Sequence, residues 1–437
     1  MNIDIYIMVL QFLLGLSLIV GLHEFGHMFF AKLFGMRVEQ YSIGFPPKIL
    51  NFKFKDTEYS LGLIPLGGFV KISGMINESI DDLEGENNSW EFRFKPAWQR
   101  FLVIIGGVLF NIITGLVIYI LISFYLGNTY IDKNEVNEYG VFPSFMGKKL
   151  GFLEGDKITH INGNNFNKFG DIMNLHTLLS SDTYYVINRL ENSLLINIPI
   201  NIMDYISNSK DIISFVQPLI LFEVGVIKKN TGSYFSRLRK GDKIININGM
   251  NCLYFQNLLK ILKNNLNKNV KIKYVRNNKL YSSFVKIDKH GKIGFRPYLL
   301  LFPRNKNYTF AESIYVGSKK VLDIFYFNFT GLFKIITCKV SVSKSLSGPV
   351  GIVKVFTVNF DWVNFWSITG FLSIALAFIN MLPIPVLDGG HAVFILYEMI
   401  FKKKLSNNFL KISNKFGIFI LFFLIFYTII NDIYKFL

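Results

Sequence analysis

Four stretches of this chain have the length and apolarity of membrane-spanning helices, which limits the fold before any other feature does. They run from about Ile5 to Leu22, from Phe101 to Leu126, from Phe365 past Met381, and from Phe416 to Ile430. A bilayer core of about 30 Å takes about 20 apolar residues of helix. It offers no water to unpaired backbone groups, so such a segment must close its own hydrogen bonds. The second stretch is interrupted only by mild polar residues such as Asn111, Thr114 and Ser123. The chain therefore reads as a polytopic α-helical membrane protein with four transmembrane helices.

The rest of the composition agrees. Of 437 residues 51% are hydrophobic, and Phe alone supplies 45, a load that soluble domains rarely carry. The net charge of +17 does not indicate nucleic acid, because Lys and Arg are spread through loops and interleaved with Asn and Ile. A basic protein facing anionic lipid accounts for it better. Cys252 and Cys338 are the two cysteines, and neither has a metal-ligand or disulfide-framework spacing. The first apolar run has no basic residue before Lys32 and no small-residue cleavage site, so it is expected to be a retained span, not a signal peptide.

Basic residues in short loops set orientation. Lys32, Arg37, Lys48, Lys53 and Lys55 follow the first span, and Lys402, Lys403 and Lys404 precede the fourth. Both segments are expected to be cytoplasmic, which leaves the N- and C-termini outside. The long region from Gly127 to Trp362 then also lies outside. It holds an internal repeat: LGFLEGDKITHING from Leu150 and LRKGDKIININGM from Leu238 share Gly-Asp-Lys-Ile, two residues, then Ile-Asn-Gly. Gly-Asp makes a turn, the alternating Ile positions suit a half-buried strand, and Asn-Gly closes a tight hairpin. The pattern resembles the matching strand pair of PDZ domains, so the insert is expected to be a β-rich extracytoplasmic region of two PDZ-like domains, the first repeat being the less regular. The expected layout is spans one and two with a cytoplasmic loop (1–126), PDZ-like domains at 127–215 and 216–300, a linker with amphipathic helices (301–362), and spans three and four (363–437). Residues Val321 to Ile336, interrupted by Asp323, Asn328 and Lys334, suit a helix lying on the membrane surface.

The chemistry is concentrated in His23-Glu24-Phe25-Gly26-His27. Residues four apart share a helix face, so both imidazoles can reach one Zn²⁺ while Glu24 stands beside it as general base. Ionisable groups continuing a hydrophobic span are costly unless they serve a function. A catalytic zinc site takes a third protein ligand, and Asp388, in NMLPIPVLDGGH from Asn380 to His391, is the best candidate. Pro383 and Pro385 must interrupt the third span there, and Gly389 and Gly390 permit close backbone approach. His391 is a rival ligand. Depth supports the meeting, since a helix from Asp4 to His23 rises about 28 Å and one from Phe365 to Asp388 at most about 35 Å. Both polar groups then sit near the cytoplasmic side.

HEFGH and NMLPIPVLDGGH together resemble the site-2 protease family of intramembrane metalloproteases, and most closely its bacterial branch of regulator of sigma-E proteases. IPLGGFVKI (from Ile64) is similar to that family's membrane-associated β-hairpin loop, KPAWQRFLVIIGGVLFN (from Lys95) to the start of its second span, and SGPVGI (from Ser347) to the stretch before its third. Val108 stands after Gly106-Gly107 where the family usually has Pro. The resemblance implies His23, His27 and Asp388 as ligands of one catalytic zinc, Glu24 as the catalytic base, and Asn380 as a residue holding substrate. It also implies a bacterial cytoplasmic (inner) membrane location and single-span membrane proteins as substrates, such as anti-sigma factors or remnant signal peptides. The Gly67-Gly68 hairpin could bind the substrate's extended segment along a strand edge. The rival class is a non-catalytic PDZ-bearing membrane scaffold with a vestigial metal motif, for which Glu24 has no use.

Overall fold

A computed structural model of the chain describes residues 3–75, 88–174, 177–178, 183–199, 202, 214–338, 340–346 and 348–436. It divides into two compact units, Met1–Gly127 with Asn307–Leu437, and Asn128–Lys306. Among the described residues four helices are long and apolar enough to cross a membrane, at Asp4–Leu33, Ala97–Leu126, Trp362–Asn380 and Asn408–Lys435.

The helical unit is built on α1 (Ile3–Leu33) and α2 (Ala97–Leu126). They meet at glycines: a Cβ on Gly106 would stand 2.7 Å from the Gly26 carbonyl oxygen, and one on Gly26 would strike the Gly106 carbonyl. Small residues at a crossing let two backbones approach closely, the usual device where no hydrophobic driving force separates helix from lipid. α3 (Phe310–Ile336) opens on a capping box between Thr309 and Glu312. It is longer than the expected surface helix and packs lengthwise on α2, where Gly317 fits against Ile120 while Val321 and Ile324 join Tyr119. α4 (Trp362–Asn380) fixes itself to α2 through Ser373, whose hydroxyl donates to the Asn111 carbonyl at 2.9 Å. After seven residues containing both prolines the chain resumes as α5 (Asp388–Phe401), and α6 (Asn407–Phe436) completes the unit. Near its end Asp432 is 1% exposed and accepts the backbone N–H groups of Gly348 and Gly351 at 2.9 and 3.0 Å, holding the segment ahead of α4. Ser347 lies outside the described residues.

Between α1 and α2 stand β1 (Val38–Phe54) and β2 (Thr57–Ile72). They form more than the expected hairpin, because each bends back on itself. Residues 40–43 pair with 68–71 on one side and with 58–61 on the other, and 50–54 pair with 57–61 in turn. The bend in β1 falls at Gly44, whose φ of 84° suits only glycine without strain. The sheet leans on α1, where Tyr41 donates its hydroxyl to the Gly21 carbonyl at 2.8 Å and Ser17 to the Pro65 carbonyl at 3.2 Å. The run 68–72 lies at the sheet's edge nearest α1, and its outer side has no strand partner among the described residues.

The β-rich unit opens with β3 (Asn128–Tyr130), β4 (Val141–Pro143), β5 (Lys157–Ile161), β6 (Asn164–Asn165), β7 (Tyr184–Arg189), β8 (Asn192–Asn197) and β9 (Val216–Pro218). It continues with β10 (Phe222–Ile227), β11 (Lys243–Ile247), β12 (Met250–Asn251), β13 (Asn269–Arg276), β14 (Lys279–Lys286), β15 (Phe295–Leu299) and β16 (Arg304–Lys306). Two four-stranded sheets, ordered β6-β5-β7-β8 and β12-β11-β13-β14, repeat one topology, and each has its own core, around Ile158, Tyr185 and Ile187 or around Ile244, Val270 and Ile272. The repeated residues explain the repeated geometry. Asn162-Gly163 and Asn248-Gly249 all have positive φ, the requirement of a two-residue type I′ turn. The Asp of each Gly-Asp pair is buried and gripped by an arginine from the third strand, Asp156 by Arg189 and Asp242 by Arg276, with both contacts of each pair at 2.7 Å. β16 pairs with β3, so the unit's first and last strands close on each other.

Candidate metal centre

α1 presents His23 and His27 on the face turned to α2, and both are buried, at 6% and 5% exposure. The ring Nδ1 of His27 lies 2.8 Å from the Val103 carbonyl oxygen. A carbonyl only accepts, so Nδ1 carries the hydrogen and Nε2 keeps its lone pair. That carbonyl can be reached because Gly107, one helical turn onward, has no side chain to cover it. Gly107 also lies directly under both rings, where a Cβ would come within 2.7 Å of His23 Nε2 and would strike His27 as well. His23 Nδ1 meets the Asn111 amide at 3.2 Å. Asn111 is fully buried and its Oδ1 otherwise has no partner, so the amide turned about its Cγ offers Oδ1 to an Nδ1–H donor. With both Nδ1 atoms protonated, both Nε2 lone pairs face one point.

Asp388 arrives at that point from the first turn of α5. The approach is tight: a Cβ on Gly389 would meet the Met381 carbonyl group at 2.5 Å, and one on Gly390 would strike the Ile384 carbonyl. The proline-containing segment thus wraps the start of α5. Asp388 Oδ2 stands 3.1 Å from His23 Nε2 and 3.6 Å from His27 Nε2, and the two nitrogens are 3.2 Å apart. Oδ2 is a buried atom without a hydrogen-bond partner. Two lone pairs and a carboxylate oxygen converging in a buried place repel one another unless a cation stands among them. Tetrahedral zinc with ligands at about 2.0–2.1 Å separates them by roughly 3.3–3.4 Å, which the three distances bracket. A nitrogen, nitrogen, oxygen donor set is also that of known catalytic zinc sites. Among the described residues these three side chains form the group able to hold a metal ion.

The other expected residues lie around this group. Asn380, the last residue of α4, brings its amide within 3.3 Å of His23 Nε2. Glu24 is half-buried and faces the sheet, where a Cβ on Gly68 would stand 3.4 Å from Glu24 Cγ. Gly67 lies under the Phe45 ring. His391 does not join this cluster but lines a cavity of about 370 Å³ with Arg100 and Glu398, which pair at 2.6 Å. Sequence reasoning missed Gly107, Asn111 and the Val103 carbonyl as supports of the histidines. Its available signal was a paired glycine followed by a lone amide within an otherwise apolar span.

A model of peptidase family M50 matches residues 11–424. The chain is 30% identical to a protein of Borreliella burgdorferi named "Putative zinc metalloprotease", over 96% of each chain. It is 26% identical to one of the same name from Vibrio cholerae, and 26% to the "Regulator of sigma E protease" of Haemophilus influenzae, each over 97% of both chains.

Proposed function

The chain belongs to peptidase family M50, and on that footing we propose that it is a zinc-dependent endopeptidase of the site-2 type, cutting transmembrane segments of single-span membrane proteins. The observation that carries this reading is the convergence of His23, His27 and Asp388 from two separate helices beside a half-buried glutamate. His23, His27 and Asp388 would hold the ion. Zinc there supplies Lewis acidity towards the scissile carbonyl and makes a nearby water easier to deprotonate.

The chain's own residues do the rest. Glu24 takes the proton of the attacking water and delivers it to the leaving amine. Val103 and Asn111 fix the imidazole tautomers, so that the ring nitrogens need no rearrangement when the ion binds. Asn380 donates an amide hydrogen bond that holds the substrate backbone at the site. A transmembrane helix hides its carbonyls in its own hydrogen bonds, so the substrate must unwind before it can be cut. The edge of residues 68–72, beside Glu24 and without an outer strand among the described residues, suits an extended strand and gives backbone bonds that ask for no particular sequence. Gly68 puts no side chain between that edge and Glu24, while Gly67 packs under the Phe45 ring at its start.

In this reading the spans cross a bacterial cytoplasmic membrane with both termini outside, and the site opens near the cytoplasmic face, where water and the basic loops are. The duplicated modules are PDZ-like filters on the outside, admitting substrates whose outer domains have already been trimmed, such as anti-sigma factors or remnant signal peptides. A scaffold with an inert metal motif would need neither Glu24 nor its placement against the strand edge. The test is Glu24→Gln, purified in detergent beside the wild type. Zinc content should persist while cleavage of a single-span test substrate is lost. A variant that still cuts would refute the assignment of the base, and a wild type that never binds zinc would refute the metal centre.

A further inference from the structure

The two modules of the β-rich unit share a topology but not a charge. From Lys243 to Ile287 the chain carries eight lysines and one arginine without a single Asp or Glu. The sheet β12-β11-β13-β14 turns Val270, Ile272, Tyr274 and Val285 into its core, so the alternate residues of β13 and β14 face outward. On that outer face Lys271 lies directly across from Phe284, and Lys286 across from Asn269, with Lys273 beside them. Phe284 and Leu280 are 69% and 62% exposed. Lys271, Lys273 and Lys286 have no ion-pair partner among the described residues, whereas Lys243 nearby is drawn to Glu223 at 3.5 Å.

The first module supplies an internal comparison. The matching outer face of β7 and β8 bears Tyr184, Val186, Asn188, Ser193, Leu195 and Asn197, with no charge at all. One fold therefore has two versions of the same face, and only the second is basic. Like charges two residues apart on a strand are about 7 Å from each other, inside the Debye length at physiological salt. Three lysines without an ion-pair partner among the described residues, set around an exposed aromatic ring, make a face that is stabilised by a negative counter-surface.

We propose that this face of the second module docks on an anionic lipid surface, with Lys271, Lys273 and Lys286 on phosphate groups and Phe284 and Leu280 in the interfacial layer. Two observations favour lipid over an acidic protein. The outer face of β13 and β14 leaves Phe284 69% exposed, and lysines interleaved with large apolar side chains suit the headgroup boundary. Chain connectivity also keeps the unit close to a bilayer: one residue separates α2 from β3, and three separate β16 from α3. A tethered module needs little intrinsic affinity, because the lipid is always at high local concentration.

The test uses the full chain with Cys338→Ser, reconstituted in lipid nanodiscs, with an environment-sensitive fluorophore on Ser282→Cys; Cys252 is buried and does not compete. Emission should shift towards that of an apolar setting in phosphatidylglycerol-containing discs, but not in phosphatidylcholine discs, and the shift should reverse in high salt. Each lysine near an anionic surface contributes about fivefold, so Lys271→Gln with Lys273→Gln should lower the docked-to-undocked ratio on the order of 30-fold. The Lys→Arg pair should keep it, which separates loss of charge from loss of fold. A label on Ser193→Cys, on the neutral face, should not respond. Emission that ignores phosphatidylglycerol, or that survives the Gln pair, would overturn the proposal. A response to soluble polyglutamate but not to anionic lipid would overturn it in favour of an acidic protein partner.

Discussion

Gly107→Ala tests the metal centre at its least obvious point. The new Cβ would stand 2.6 Å from His23 Cε1 and 2.7 Å from His23 Nε2, short of ordinary contact by about 0.7 Å. Neither ring can swing aside cheaply. His27 is tied to Val103, His23 to Asn111, and both must stay aimed at Asp388. Zinc–ligand distances tolerate about 0.2 Å, so a forced shift several times larger acts on the ion before it acts on the fold. Disturbing the groups that orient metal ligands typically lowers affinity 10–100-fold, or about 1.4–2.7 kcal/mol. At saturating zinc the metal-linked part of the stability falls by the same amount. The assay is a chelator titration of purified protein, with zinc measured directly and the thermal midpoint recorded with and without metal. Gly115→Ala is the control on the same helix: its Cβ meets chiefly the flexible end of Ile374, so it should cost about 1–3 kcal/mol of stability and leave zinc affinity alone. If Gly107→Ala binds zinc as tightly as the wild type, or if Gly115→Ala loses zinc equally, the close-approach argument is wrong.

Asn111→Leu should lower zinc affinity by about 10–100-fold with little change in helical content, read by the same titration. Arg276→Leu leaves Asp242 buried and unpaired, and should destabilise the second module by about 3 kcal/mol, seen as lost hydrogen-exchange protection in β13 while β7 keeps its own. Burial pushes the Cys252 thiol up to about 12, so an alkylating reagent near pH 8 should modify exposed Cys338 and spare Cys252 until the protein unfolds. Because that pKa is raised in the folded state, its contribution to stability is complete below about pH 8.5 and is lost as pH climbs towards 12, which alkaline melts of Cys252→Ala against wild type would register. In a single-span substrate, replacing helix-weakening residues by Leu should slow cleavage. Equal rates would remove the unwinding step from the mechanism.

Much of this was legible in the residues because the signals are local. A run without charge has one structural outcome in a bilayer, and His-Glu-x-x-His has one helical face. Pro383 and Pro385 announced the break between α4 and α5, and Asn-Gly announced both type I′ turns. What stayed hidden depends on partners distant in sequence. The Asn111 amide reads as a mild interruption of a span until His23 is placed beside it. The β1–β2 sheet folds twice because Gly44 has a positive φ and because Gly62 lies against the Phe45 carbonyl, neither of which a period-two pattern discloses. The first half of α3 carries Glu312, Lys319, Lys320 and Asp323, which lower its hydropathy and mask a helix whose seat on α2 is decided by Gly317.

The glycines on α2 do two different things one residue apart, and together they explain why the histidines can lie so deep. Gly106 lets α1 approach until backbone meets backbone at Gly26. Approach alone would bury two imidazoles against a wall of side chains, with their Nδ1–H groups unsatisfied, a cost of about 1–3 kcal/mol each. Gly107 removes that wall and uncovers the Val103 carbonyl, which keeps its helical role and accepts His27 Nδ1–H as a second bond. One polar residue a turn further, Asn111, then serves His23. The helix that packs over the two imidazoles also supplies both hydrogen-bond partners that aim them, so burial and orientation come from a single packing event. A larger residue at 106 should therefore loosen the whole helix pair, whereas one at 107 should loosen the metal first.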